Sequence, residues 1–199
     1  MQPVFNTALP DGSSRVIVEN VTPEVDGGTF AVKRVRCERV IVEADIFADG
    51  HEVISGMLLF RREAQQKWDE TPLKFVVNDR WRAIFSVAEI GRYRYTLAAW
   101  IDRFQSWRRD LQKKAEVNEH SDLDMLSGAL IIESAAARAA ASDKKKFAEA
   151  IEILRDNDRS LSSKLAAALG DELLELVQRY PERGAETRYD KELSVVVDR

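Results

Sequence analysis

Two pairs of acidic residues are spaced in a way that could support acid–base chemistry on a glycosidic bond, which requires two carboxyl groups facing one substrate. The pairs are Glu43 with Asp45, and Asp122 with Asp124. Residues at positions i and i+2 of a strand share one face, so Glu43 and Asp45 could act together. However, Glu43 and Asp45 alternate along the chain with apolar residues of the kind that is usually buried. The simpler interpretation is that the two carboxylates lie on the solvent-exposed face of the strand. We therefore favour a structural role over a catalytic one for these carboxylates.

The remaining chemical signals are weaker. His51 and His120 fall in a predicted turn and a predicted inter-helix loop, with no cysteine or second histidine at ligand spacing, which disfavours a metal site. The sequence contains no G-x-S-x-G, P-loop or G-x-G-x-x-G motif, and Gly27-Gly28 predicts only a turn. The sequence thus predicts no catalytic, cofactor-binding or metal-binding residue and no cofactor.

Aromatic and basic residues leave two binding interpretations open. Five aromatic residues could form a sugar-stacking platform, as in sandwich modules attached to glucan enzymes: Trp81, Tyr93, Tyr95, Trp100 and Trp107. Core packing is the favoured interpretation, because aromatic side chains dominate sandwich interiors. The basic residues Arg108, Arg109, Lys113 and Lys114 are more typical of a solvated face or a protein contact than of a phosphate site.

Composition narrows the function classes further. The 199 residues are 45% hydrophobic and 32% charged, enough for one large or two small domains with a core. A formal net charge of -4 argues against a general nucleic-acid binder or an anionic membrane as partner. The single cysteine, Cys37, indicates a reducing compartment, and residues 1–20 lack the apolar run of a signal peptide. We expect a cytoplasmic protein without a membrane segment.

The elements that must position these residues change type near Phe104. Before it, strand-like segments separated by turn signals alternate in hydrophobicity with a period of two. Segments 39–47 and 53–60 are expected to pair as a hairpin around Asp49-Gly50, and segments 71–77 and 81–87 as a second hairpin around Asn78-Asp79-Arg80. The longest predicted strand is 91–101. About six short strands at such spacing are typical of an immunoglobulin-like sandwich.

After Phe104 the pattern becomes helical. Five helices are predicted at residues 107–118, 123–140, 144–155, 160–169 and 171–180. Ser121-Asp122 is the predicted N-cap of the second helix and Asp143 of the third. An apolar stripe in the second helix consists of Leu123, Leu126, Leu130 and Ala137.

A final strand signal at residues 193–197 needs a sheet partner, and the sheet built before Phe104 is the nearest. The helices are therefore interpreted as an insertion. The predicted fold class is α+β: an all-β immunoglobulin-like sandwich with an inserted helical bundle. The predicted organisation is a flexible N-terminus at 1–14, the sandwich at 15–104 and 190–199, and the bundle at 105–189.

Several segments carry a family resemblance when taken together. They are 17–28 (IVENVTPEVDGG), 42–51 (VEADIFADGH), 78–81 (NDRW), 91–96 (GRYRYT), 102–104 (DRF) and 107–114 (WRRDLQKK). As a set they resemble the N-terminal region of bacterial α-1,4-glucan:maltose-1-phosphate maltosyltransferases, glycoside hydrolase family 13 enzymes that extend α-glucans using maltose 1-phosphate. The similarity spans most of residues 15–197. Cys37 departs from it, since a small residue such as glycine is expected there.

The resemblance implies a β-sandwich with a helical bundle inserted before its last strand. It also implies a larger parent enzyme, whose catalytic aspartate and glutamate lie in a TIM barrel expected after Arg199, so no catalytic residue is carried over to this chain. In the family, the N-terminal module helps to build the homodimer. Dimer contacts are therefore expected on an exposed apolar strand face or on the first helix.

The leading hypothesis is a non-catalytic homodimerisation module of a maltosyltransferase, in contact with the catalytic barrel of the same parent chain. The main alternative is an accessory module that binds α-glucan. A free-standing interaction adaptor is the third hypothesis.

Overall fold

The computed structural model describes residues 16–198, so the flexible segment predicted at 1–14 lies outside the described residues. The fold class is α+β. The strands are β1 Val16–Thr22, β2 Val32–Arg34, β3 Arg39–Ala48, β4 Ile54–Arg62, β5 Asp69–Pro72, β6 Lys74–Val77, β7 Arg80–Ser86, β8 Gly91–Ile101, β9 Thr187–Arg188 and β10 Leu193–Val197. The helices are α1 Arg103–Glu116, α2 Asp122–Arg138, α3 Ala141–Arg155, α4 Leu161–Ala168 and α5 Asp171–Gln178.

The strands form two sheets. One has the order β1-β3-β7-β6, and the other has the order β2-β10-β8-β4-β5, with β9 also paired to β8. Within these sheets β10 and β2 run parallel, and the other paired strands run antiparallel. Both sheets contribute to one cluster of buried side chains, which includes Val42 and Phe85 from the first sheet and Leu97 and Val195 from the second. The two sheets therefore share one core.

The strand β3 shows how the alternating pattern determines burial. Its alternate residues Val40, Val42, Ala44 and Ile46 are buried, as the sequence predicts. The predicted hairpin of β3 with β4 is wrong, because β3 pairs with β1 and β7 while β4 pairs with β5 and β8 in the other sheet. The turn at Gly50 only reverses the chain. Each strand needs an apolar layer opposite its buried face, so β4 crosses to the other sheet.

The segment 71–77, predicted as one strand, belongs to two strands in the structure, β5 and β6. Leu73 separates β5 from β6, is buried, and donates its N–H to the carbonyl of Gly56 over 2.9 Å. Because Leu73 points into the core at this position, β5 remains beside β4 while β6 joins β7. The predicted pairing of β6 with β7 is confirmed.

By internal contacts the described chain divides into two units, residues 16–101 with 185–198, and residues 102–184. The second unit contains the five helices and a core of its own, with Leu111, Met125, Ile132, Phe147 and Leu154 among its buried residues. Each unit thus has its own apolar interior.

Two helix starts differ from prediction. The first helix begins at Arg103 because Asp102 is the N-cap, whose Oδ1 accepts the N–H of Gln105 over 2.9 Å, and Phe104 belongs to the helical core. The third helix begins at Ala141, and Asp143 lies in its first turn instead of capping it. The side chain of Asp143 is buried and accepts the hydroxyl of Tyr180 over 2.8 Å. This contact links α3 to the residues after α5.

The packing of α1 on α2 depends on Gly128. A Cβ atom at this position would lie 2.0 Å from Cζ2 of Trp107, and the indole Nε1 of Trp107 donates to the carbonyl of Asp124 over 2.9 Å. The ring of Trp107 therefore occupies the space that a side chain at position 128 would need.

Replacing Gly128 with Ala should lower the free energy of unfolding by about 1–2 kcal/mol, because overpacking costs about 1–3 kcal/mol and the better helix propensity of Ala returns up to about 1 kcal/mol. The matched control is Ser127→Ala, at the exposed neighbouring position of the same helix. Urea unfolding followed by tryptophan fluorescence measures both. Equal stability of the two variants would contradict the assigned packing.

Candidate functional site

The first candidate carboxylates, Glu43 and Asp45, lie opposite Arg82 and Arg80 on the neighbouring strand β7. Arg82 Nε donates to Glu43 Oε1 over 2.6 Å, and Arg80 Nη1 donates to Asp45 Oδ1 over 3.0 Å. Arg80 Nε also donates to Glu43 Oε2 over 3.3 Å. The two carboxylates are thus joined by a shared guanidinium group on the face of β3 opposite the core.

These contacts set the charge state of the carboxylates. The hydrogen bond from Arg82 lowers the pKa of Glu43, and hydrogen bonds from Asn20 and then Arg80 lower the pKa of Asp45. In both cases they outweigh the opposing effect of burial. A general acid needs a raised pKa, so this geometry favours ion pairing over acid–base chemistry.

In the second candidate pair, Asp122 and Asp124 each bind a different lysine. Asp122 Oδ1 accepts the ammonium of Lys164 over 2.5 Å, and Asp124 Oδ1 accepts that of Lys114 over 2.5 Å. Burial raises the pKa of Asp124, but the hydrogen bonds from Lys114 and Ser121 outweigh it and lower the pKa overall. Ser121 is the N-cap of α2, as predicted, and its N–H donates to Asp124 Oδ2 over 2.8 Å. This pair therefore caps and anchors a helix.

The histidines and the cysteine do not come together. His51 lies between β3 and β4, His120 lies between α1 and α2, and Cys37 is exposed between β2 and β3. Within residues 16–198, no group of three His, Cys, Asp or Glu side chains is arranged to hold a metal ion.

The candidate aromatic residues are mainly core residues. Tyr93, Tyr95 and Trp100 are buried, so the predicted core role is confirmed for these three. Tyr95 donates its hydroxyl to the carbonyl of Pro23, and burial raises its pKa above the ordinary tyrosine value. Trp81 packs at the margin of the core and donates its Nε1 to the carbonyl of Ile46 over 3.1 Å. These rings do not form one exposed platform.

Three of the four candidate basic residues of α1, Arg108, Arg109 and Lys114, have separate partners. Arg108 donates to the carbonyls of Ala168, Leu169 and Gly170 over 2.8–3.0 Å, which satisfies the C-terminal end of α4. Burial lowers the pKa of Arg108. Arg109 pairs with Asp110 over 3.0 Å. Arg108 therefore packs α1 against the end of α4.

Cavities in the helical unit offer little for a carbohydrate. A pocket of about 30 Å³ between α1, α2 and α5 has room for about one water molecule. A groove of about 620 Å³ along α3, α4 and α5 has an apolar floor that includes Ile153 and Leu176 and an acidic rim that includes Glu149 and Glu175. Its described lining residues include no aromatic ring on which a sugar could stack.

The most distinctive surface of the helical unit lies on α2. Its core face consists of Met125, Gly128, Ala129, Ile132 and Ala135. The stripe noted in the sequence points the other way: Leu123 is 72% exposed, Leu126 is 43% exposed and Leu130 is 62% exposed. We call Leu123, Leu126 and Leu130 the leucine stripe. The helix thus has two apolar faces. The sequence pattern showed the second face as a stripe but did not indicate whether it faces the core or the solvent.

Comparisons with known proteins identify the family. Residues 14–199 match the family described as alpha-1,4-glucan:maltose-1-phosphate maltosyltransferase, domain N/S. The chain belongs to this family. Similar proteins include the alpha-1,4-glucan:maltose-1-phosphate maltosyltransferases of Chlorobaculum tepidum, 40% identical over 205 residues, and Myxococcus xanthus, 38% identical over 192 residues.

The match covers 100% and 92% of this chain, but only 30% and 29% of those two relatives. The enzyme of Methylacidiphilum infernorum shows the same proportion, at 34% identity over 98% of this chain and 29% of its own length. The chain therefore corresponds to the N-terminal, N/S region of the maltosyltransferases. No helix within residues 16–198 is long and apolar enough to span a membrane.

The charge network on β3 and β7 gives a testable pH dependence. Replacing Arg80 with Met should raise the pKa of Glu43 and Asp45 and lower the free energy of unfolding at pH 7 by about 1–3 kcal/mol. Arg80 also donates to the carbonyl of Asn20 over 3.0 Å and to the hydroxyl of Thr22 over 2.9 Å, so the loss extends beyond the two carboxylates.

Both carboxylates have lowered pKa values in the folded state, so their stabilisation is present above the unfolded value of about 4 and is lost as the pH falls through the folded value. The stability difference between wild type and Arg80→Met should therefore shrink on acidification. Carboxyl NMR titration and urea unfolding at pH 7 and pH 3 measure these effects. Arg82→Met, which removes contacts to Glu43, is the control, and an unchanged Asp45 pKa in Arg80→Met would refute the assignment.

Proposed function

We propose that this chain is the non-catalytic N-terminal module of a cytoplasmic α-1,4-glucan:maltose-1-phosphate maltosyltransferase, and that it serves homodimer assembly. The parent enzyme would transfer maltosyl units from maltose 1-phosphate to an α-glucan through a catalytic barrel outside this chain. Membership of the domain N/S family supports this assignment. The candidate carboxylates support it as well, since each is held by an arginine or a lysine.

The observation that carries the assembly role is the leucine stripe on α2. Three leucines spaced by three and four residues remain exposed although the opposite side of the same helix is fully packed. Exposed apolar rows of this kind are typical of helix–helix contacts between chains. A solvated helix face would be expected to carry polar side chains at these positions.

A second copy of the chain is the occupant that fits this stripe best. If two α2 helices cross antiparallel near Leu126 and Ser127, then Leu123 of one copy meets Leu130 of the other. The small Ser127 side chain leaves room at the crossing, and the antiparallel arrangement also opposes the two helix dipoles favourably. The stripe is thus self-complementary, as a two-fold interface requires.

We further propose that the two sheets of residues 16–101 and 185–198 form an immunoglobulin-like sandwich, into which the helical unit 102–184 is inserted. The orders β1-β3-β7-β6 and β10-β8-β4 correspond to the ABED and GFC sheets of that fold. Tyr93 in β8 accepts the N–H of Glu89 over 3.1 Å and donates to its carbonyl over 3.2 Å, as a tyrosine corner does. Both features support the proposal.

The non-catalytic assignment predicts that the purified chain does not transfer maltose. Incubation with maltose 1-phosphate and glycogen should release phosphate no faster than a protein-free control, because the acid and nucleophile are placed outside this chain. Glycogen chain length and free phosphate are the two readouts. Turnover by the chain alone would overturn the assignment.

The assembly role predicts that Leu130→Glu weakens the homodimer, because it places a carboxylate in an apolar contact. The expected increase in the dimer dissociation constant is about 30-fold, as for a hot-spot residue of an interface. Analytical ultracentrifugation measures the effect, with Ile90→Glu as the control at a similarly exposed apolar position in the other unit.

A glycogen pull-down with the same proteins separates assembly from glucan binding. A wild-type chain that is monomeric and retains glycogen would overturn the assembly role in favour of the accessory glucan-binding module. A monomer that does not bind glycogen would leave the free-standing adaptor hypothesis.

A further inference from the structure

The side chain of Phe75, in the edge strand β6, is 60% exposed. Its ring lies against that of Trp81, the residue opposite it in β7, with the ring centroids 5.6 Å apart and an angle of 79° between the ring planes. Trp81 is half-buried and packs at the margin of the core. The two rings therefore extend from the core margin into solvent. We call Phe75 and Trp81 the aromatic corner.

The aromatic corner is held in place through one residue of β3. The indole Nε1 of Trp81 donates to the carbonyl of Ile46 over 3.1 Å, and the N–H of Ile46 donates to the carbonyl of Asp79 over 2.8 Å. Ile46 therefore fixes both the tryptophan ring and the turn between β6 and β7. That turn carries the exposed side chains of Asn78 and Asp79. A surface that is already ordered loses little conformational entropy when a ligand binds.

The composition of this surface suits a sugar. A pyranose has an apolar face of C–H groups, which stacks on aromatic rings, and a rim of hydroxyl groups, which bond to amides and carboxylates. The aromatic corner supplies the rings, and Asn78 and Asp79 supply the polar groups. Pairing with a further strand is less suited to β6, because its register shifts between Phe75 and Val77. Side chains are therefore better placed than the backbone to bind a ligand here.

We propose that the aromatic corner, together with Asn78 and Asp79, binds an α-1,4-linked glucan chain. This inference rests on the proposed function, in which the parent enzyme acts on an α-glucan. It adds to that function a contact through which this chain holds the polymer.

The angle between the two rings favours a curved glucan over a flat one. An α-1,4 linkage leaves the pyranose through an axial bond, so the chain curves, whereas a β-1,4-linked chain extends as a flat ribbon. A flat ribbon stacks best on rings that lie in one plane. Rings inclined at 79° match the changing direction of successive residues in a curved chain. The geometry therefore discriminates between the two linkages.

NMR titration of the wild-type chain with maltoheptaose tests the site directly. The indole N–H resonance of Trp81, assigned with the variant Trp81→Phe, should shift more than those of the other three tryptophans. Cellohexaose, which has β-1,4 linkages, should leave the resonance unshifted. A shift with both oligosaccharides, or with neither, overturns the proposal.

Variants of Phe75 test whether the ring itself makes the contact. Phe75→Leu keeps an exposed apolar side chain without the ring, and it should raise the dissociation constant for maltoheptaose about tenfold. Phe75→Tyr keeps the ring and should bind as the wild type does. The matched control is Phe30→Leu, because Phe30 is also 60% exposed and no second ring lies against it within residues 16–198. Unchanged binding by Phe75→Leu, or an equal loss in Phe30→Leu, refutes the site.

The outcomes separate this inference from the proposed function. A wild-type dimer whose Trp81 resonance does not respond to maltoheptaose would keep the assembly role and remove the glucan site. A monomeric wild-type chain whose Trp81 resonance shifts would keep the glucan site and remove the assembly role. Ultracentrifugation of Phe75→Leu completes the separation, since its dimer dissociation constant should equal that of the wild type. A weaker dimer in this variant would instead assign Phe75 to a contact between proteins.

Discussion

The pairing of β10 with β8 is the constraint on which the sheet unit depends. Leu193 pairs with Tyr95 and Val197 with Gly91, so the last described strand is held by residues that precede all five helices. Since β10 also pairs with β2, it lies between β2 and β8 in the sheet. The side chains of Leu193, Val195 and Val197 are buried in the core that both sheets share. Without this long-range pairing, β2 would lose its neighbour in the sheet and the core would be open.

A second contact holds the returning chain in place before it reaches β10. The hydroxyl of Tyr189 donates to Glu24 over 3.0 Å, and Lys191 donates to the same carboxylate over 3.3 Å. Burial raises the pKa of Tyr189, and the hydrogen bond to Glu24 raises the pKa of Lys191, so both donors keep their protons to a higher pH than an ordinary tyrosine or lysine does. The loop after β1 is therefore tied to the segment after the helices, which supports the same closure.

Charged groups in this chain act mainly as structural links. Glu43 and Asp45 join three strands through Arg80, Asp124 caps α2, and Arg108 satisfies the carbonyls at the end of α4. The exposed residues of the described chain also include two apolar rows, the leucine stripe and the edge strand β6.

The sequence by itself determined the element types, the inward face of β3 and the change from strands to helices, because these depend on local period and capping residues such as Ser121. The family could also be recognised from short segments. Only the tertiary structure decided that β3 and β4 separate into different sheets, that residues 71–77 divide at Leu73, and that Asp143 is buried against Tyr180. It also decided that the leucine stripe faces outward, because α2 carries two apolar faces and a periodic pattern does not state which face the rest of the chain will cover.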